Sequence, residues 1–195
     1  VSGFGKKVLM EKSYLVPFVR ENLDILFIGI NPAKGSSRNR HYFSVNQALW
    51  NQLYDSGLIT CRVDKSNADE IVFGRTDKNF QGWSYGVTDL ITTIAESNSG
   101  KIKPTQKDCE ALHSLIKRFS PKVAILLHGK VLENFLAFLG HTIPRTNSGK
   151  LGMLMKDCST MFFNIAFPHG NAISSEDKIA QYQAVKRYLL ELKGK

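Results

Sequence analysis

Three short segments of the chain are almost unbroken in apolar side chains: ILFIGI (25–30), VAILL (123–127) and MFFNIAF (161–167). Continuous rather than alternating apolarity fits strands covered on both faces, as in a parallel sheet flanked by helices. Between these segments the period lengthens. Val45, Leu49 and Leu53 recur every four residues, with Gly57 as a stop. Cys109, Leu112, Ile116 and Phe119 share a helix face, with Thr105 as the predicted N-cap and Asp108 three residues on. A third helix carries Val131, Leu132, Phe135, Leu136 and Leu139 and ends at Gly140. The last begins near Ser174 or Ser175 and turns Ile179, Tyr182, Val185, Leu189 and Leu192 toward the core. WSYGVTDLITTI (83–94) offers a further strand and turn, ESNSGKIKPT (96–105) a polar loop, and NSGKLGM (147–153) a tight turn into the final strand.

Strands alternating with helices predict a three-layer α/β/α sandwich around a central, mostly parallel sheet. That architecture locates function before any motif does. In open parallel sheets, ligands sit beyond the carboxyl ends of the strands. Three loops follow the apolar runs directly: Asn31–Ser37, His128–Gly129 and Pro168–Asn171. One crevice could collect all three.

With 195 residues and 43% hydrophobic content, residues 1–195 are expected to form one domain. No apolar stretch approaches the length of a membrane span. The N-terminal VSGFGKKVLMEKSY lacks the long apolar centre of a secretory signal, and a start at Val1 points to processing or trimming. Cys61, Cys109 and Cys158 are far apart and odd in number, with no CxxC pair. A disulfide framework, a structural zinc site and an iron–sulfur cluster are therefore unsupported, and a reduced cytoplasmic setting is expected. Lys and Arg number 26 against 17 acidic residues, a net charge of +9. Such a balance suits a polyanionic partner, whose counterions are released when phosphates are neutralised. It equally suits a generic basic surface.

GINPAKGSS (29–37) is not a nucleotide P-loop. Lys34 precedes Gly35 instead of following a second glycine, and Pro32 removes a backbone donor from the middle. The G-x-G-x-x-G fingerprint and the H-E-x-x-H zinc motif are also absent. Instead, GINP at the end of the first apolar run, HYFS (41–44), NQALWNQLYDSGL (46–58), GVTDLI (86–91), SPKVAILLHGKVLENF (120–135) and FPHGNAIS (167–174) occur in one order. In that order they resemble the uracil-DNA glycosylase superfamily, and most closely its mismatch-specific uracil/thymine branch, over roughly residues 23–192.

The resemblance implies a DNA glycosylase that removes uracil or a related deaminated or mismatched base from double-stranded DNA. It implies no metal and no organic cofactor, and action as a monomer. Asn31 would position the water that attacks the deoxyribose C1′, and His169 would donate to the leaving base or to a phosphate. Gly29, Ile30, Tyr42, Phe43 and Thr88 would form the base pocket, with Tyr42 or Phe43 stacking on the flipped base. Backbone N–H groups near Ile30 and Tyr42 would stabilise the departing anion. Lys34, Ser36, Ser37, Arg38, Gly170 and Asn171 would hold DNA, with Asn171 at the position of an intercalating wedge.

No lysine stands in a motif position for Schiff-base attack, which implies a monofunctional enzyme. Two departures from the branch stand out. Ala33 replaces the usual glycine after GINP, and Phe167–Asn171 replaces a second motif that usually reads N-P-S-G or H-P-S-P. A non-catalytic nucleic-acid-binding module of the same fold, or a glycosylase for hypoxanthine or another deaminated purine, remain alternatives on the sequence.

Overall fold

The computed structural model describes residues 10–194, so most of the N-terminal stretch read above for a signal sequence lies outside the described residues. Among the described residues seven strands run in chain order: β1 (Glu11–Lys12), β2 (Ile25–Gly29), β3 (Tyr85–Asp89), β4 (Ile94–Ala95), β5 (Val123–Leu126), β6 (Gly149–Gly152) and β7 (Met161–Asn164). The helices are α1 (Lys34–Asn39), α2 (Ala48–Asp55), α3 (Ala68–Val72), α4 (Gln106–Phe119), α5 (Gly129–Leu139) and α6 (Ser175–Lys193). The main sheet has the order β3-β2-β5-β7-β6. Its first four strands are parallel and β6 pairs antiparallel on the edge, while β1 and β4 form a separate antiparallel pair.

Both faces of the sheet are dry, which explains the continuous apolar runs. Ile25, Phe27, Tyr85, Val87, Val123, Ile125 and Phe163 belong to one core, shared with α2, α3 and α6. Leu26, Ile28, Ala124, Leu126 and Phe162 belong to the other, shared with α4 and α5. Successive strand residues point to opposite faces, so the hydrophobic effect rewards an apolar side chain at every position. The result is a mixed, mostly parallel sheet between helical layers, the predicted α/β sandwich.

Local signals set the helix ends. Thr105 and Asp108 form a reciprocal capping box on α4, Gly140 closes α5 in the left-handed conformation, and the Ser174 hydroxyl accepts the Asp177 N–H at the start of α6. Three readings are corrected. Val45 is not in a helix but 54% exposed before one, because the Asn46 side chain takes the Ala48 N–H in a turn of its own. Leu192 is 42% exposed, in a last turn of α6 where residues 190–194 are all exposed. NSGKLGM is more than a turn: its second half is the edge strand β6, paired with β7 around an irregularity at Lys150–Gly152.

Candidate active site

The carboxyl ends of all four parallel strands open into one cavity of about 580 Å³. Gly29–Ala33 enters from β2, His128 and Gly129 from β5, and Phe167–Asn171 from β7. The three loops singled out in the sequence thus share one crevice. A fourth contribution comes from Asp89 at the end of β3 and from the segment Glu96–Ser99 beyond β4.

Asn31 is fixed by its amide nitrogen. Nδ2 donates to the carbonyls of Pro32 and Glu96, both at 2.9 Å, and more distantly to Ile94. Three carbonyls around one atom identify it as the nitrogen, so Oδ1 is the free end, with no donor among the described residues. The same segment is laced further to the loop: Glu96 N–H donates to Pro32 O, Lys34 N–H to Ser97 Oγ, and the Lys34 ammonium pairs with Glu96 at 3.2 Å. The Asn98 N–H, helped by Lys34, holds the Glu96 carboxyl below its usual range.

Aromatic rings form the opposite wall. Phe43 is half-buried between Tyr42, Trp50 and Phe167, and holds a left-handed φ of 52°. A bulky residue rarely adopts that conformation, and here it puts the ring at the cavity. Trp50 helps to hold it by donating its indole N–H to the Phe43 carbonyl. Tyr42 is buried, and its N–H donates to Asp69 at 2.7 Å. The Tyr42 N–H is therefore not free to stabilise a leaving base, contrary to the sequence expectation.

Asp89 was not anticipated. Strand parity puts it on the Tyr42 side of the sheet, whereas Thr88 pairs with Ile28 and points into the other core. Thr88 is buried away from the cavity and is corrected as a pocket residue. A Cβ on Gly29 would collide with Asp89 Oδ1, so the glycine of GINP is what admits this carboxyl. Burial pushes the Asp89 pKa up to about 8 against a small opposing effect of the Tyr42 hydroxyl. Neither Asp89 Oδ2 nor the Tyr42 hydroxyl has a well-formed hydrogen bond among the described residues.

His128, placed at the crevice by its loop in the sequence reading, was given no role there. Its Nδ1 accepts the Lys130 N–H at 3.0 Å, capping α5, and burial together with Lys130 lowers its pKa. The ring is therefore neutral with its proton on Nε2, a donor at the cavity wall. No local motif announced it beyond its place at a strand end. His169 sits at the mouth beside Phe167, with its pKa lowered by partial burial and the charge of Lys178.

The residues expected to hold DNA divide. Ser36, Gly170 and Asn171 line the cavity. Ser37 does not: it is fully buried, and its hydroxyl accepts the Tyr14 N–H. Arg38 is exposed and makes a two-point ion pair with Glu11, and Lys34 is held by Glu96. Asn171 does not project as a wedge. Its amide donates to Phe167 O and His169 O while its oxygen accepts the Ile173 N–H, so the side chain is folded into its own loop.

Fold and site together define an α/β protein with its ligand cavity at the carboxyl ends of the parallel strands. The chain belongs to the uracil DNA glycosylase superfamily, whose family model matches residues 16–193. Members of that superfamily are DNA glycosylases, hydrolases of base excision repair that act on DNA. No match was found among curated proteins. Among the described residues no helix is long and apolar enough to cross a membrane.

Proposed function

We propose that this protein is a monofunctional DNA glycosylase of the mismatch-specific kind, hydrolysing the N-glycosidic bond of uracil or a related deaminated or mismatched base. The observation that carries the reading is the fixed Asn31 amide, whose nitrogen is tied to Pro32 O and Glu96 O and whose oxygen is left to the cavity. A target base must leave the duplex to reach such a cavity. Once there it stacks on Phe43, while Asn31 Oδ1 accepts a hydrogen bond from a water and holds it toward C1′. The C1′–N bond breaks with its electron pair leaving on the base. The water oxygen adds to C1′, and its proton ends on the base. An oxocarbenium-like transition state needs placement more than basicity, and a positioned neutral amide supplies that.

Neutral donors surround the departing anion in this scheme. The His128 Nε2–H and the protonated Asp89 carboxyl can each donate to a base oxygen without first losing a proton. The test is a set of labelled duplexes bearing uracil, thymine, hypoxanthine or xanthine, incubated with the protein and cleaved with alkali. Strand scission at uracil or thymine supports the reading. Scission confined to hypoxanthine or xanthine moves the substrate class to deaminated purines. Tight binding without scission on any duplex would leave a non-catalytic DNA-binding module.

A further inference from the structure

Lys178 is a buried cation that the scheme above does not use. Its side chain is 2% exposed, it has no carboxylate partner among the described residues, and its ammonium donates to the Pro168 carbonyl at 3.2 Å. Gln52, also buried, donates to the same carbonyl at 3.0 Å and to the Ser175 hydroxyl. Both lone pairs of one carbonyl are thus occupied, one of them by a charged donor. Burying an ammonium is costly unless something is gained from its charge.

The other end of that peptide group is the His169 N–H, which meets no acceptor among the described residues. The flanking carbonyls are occupied too, since Asn171 Nδ2 donates to both Phe167 O and His169 O. The loop therefore commits three successive carbonyls to side-chain donors, while His169 and Gly170 line the cavity with φ positive at Gly170. Hydrogen bonds along a chain polarise one another, and a cation on a peptide carbonyl makes its N–H a stronger donor. A preorganised donor of this kind stabilises negative charge as it develops.

We propose that Lys178 is a positioning residue which, with Gln52, holds and polarises the Pro168–His169 peptide so that its N–H binds an anionic oxygen of the substrate. Two oxygens fit that chemistry: that of the departing base, and that of the phosphate beside it. The proposal rests on the glycosylase reading for the first and on DNA binding alone for the second. Lys178→Met removes the charge at constant length, Lys178→Arg restores it, and Gln52→Met removes the neutral donor. Each is compared with the native chain in thermal melts, in DNA affinity across salt, and in single-turnover release of uracil and of 5-fluorouracil, a more acidic leaving base.

For the base oxygen, Lys178→Met slows uracil release about tenfold or more and 5-fluorouracil release clearly less. Lys178→Arg recovers most of the loss, and Gln52→Met shifts the ratio of the two rates in the same direction. For the phosphate, the variant binds DNA more weakly with a shallower salt dependence, and the rate ratio stays constant. Equal losses on both bases at unchanged affinity, or no loss at all, would overturn the role of Lys178. Should the native chain release neither base, uracil falls as its substrate, and the affinity series still decides whether Lys178 serves a phosphate.

Discussion

Asn31 and Asp89 face the cavity from neighbouring strand ends, and their chemistry differs because their partners differ. Asn31 has three carbonyls on its nitrogen and, among the described residues, no donor on its oxygen, so its role should lie in placement. Asn31→Ala is expected to lower single-turnover base release about a hundredfold or more while leaving DNA affinity nearly unchanged. Asn31→Asp keeps the shape but sets a negative charge beside DNA, so affinity should fall where alanine leaves it intact. Asp89 has the opposite problem, a carboxyl in a dry site with its pKa pushed up to about 8. Below the ordinary carboxyl range it is protonated in both folded and unfolded chains. As pH rises from there to about 8, only the unfolded chain ionises, so stability falls across that window and the loss is complete above it. Asp89→Asn should flatten this decline, which melts taken between pH 5 and pH 9 will read as a smaller drop in Tm than in the native protein.

The loop after β7 is an element whose sequence is misleading. Asn171 is expected from the resemblance at the position of a wedge, yet its amide bonds the Phe167 and His169 carbonyls and the Ile173 N–H. Asn171→Leu therefore does not supply a wedge to a ready-made loop. It removes the side chain that shapes the loop, at roughly 1 kcal/mol for each hydrogen bond lost. Release of uracil opposite guanine and opposite adenine should fall by similar factors, and any preference for the weaker guanine pair should persist. A selective gain on the adenine pair would mean that Asn171 leaves its loop contacts when DNA binds. Elsewhere, strand-end chemistry was hidden by one residue of parity. GVTDLI sets Thr88 and Asp89 side by side on opposite faces, so nothing local says which of them meets the cavity. The register of β3 against β2 decides for Asp89.

Across the whole molecule an excess of nine positive charges is expected to draw DNA, but the basic side chains in and beside α1 are not all available. Lys34 and Arg38 are paired with Glu96 and Glu11, so a phosphate must displace a carboxylate to reach either. Arg40 is exposed, in a left-handed conformation at the end of α1, with no ion pair among the described residues. Duplex affinity should fall with salt at a log–log slope of about −0.9 per phosphate neutralised. Arg40→Ala should reduce that slope by about one contact, and Arg38→Ala by less, because removing Arg38 also frees Glu11. Fluorescence anisotropy on an undamaged duplex across a salt series measures both. Equal changes for the two variants would show that the Glu11 pair dissolves on binding.

Features that depend on neighbours in the chain were legible in the amino-acid order. Unbroken apolar runs fit strands covered on both faces, and with the helical periods between them they pointed to the parallel sheet. Thr105 with Asp108, Gly140 and Ser174 fixed helix ends through side chains and φ angles within a few residues of each other. GINP pointed to Asn31 through the family resemblance, with its strand-end position in agreement. Tertiary structure alone decided which groups share the cavity and in what state. His128 enters as a donor because α5 begins on its Nδ1, and burial in the closed fold pushes the Asp89 carboxyl pKa up to about 8. Lys178 reaches Pro168 O across a ten-residue separation, with Gln52 arriving from α2, far earlier in the chain. Burial, register and long-range donors have no local signature, since each depends on surfaces that meet only when the sheet has closed against its helices.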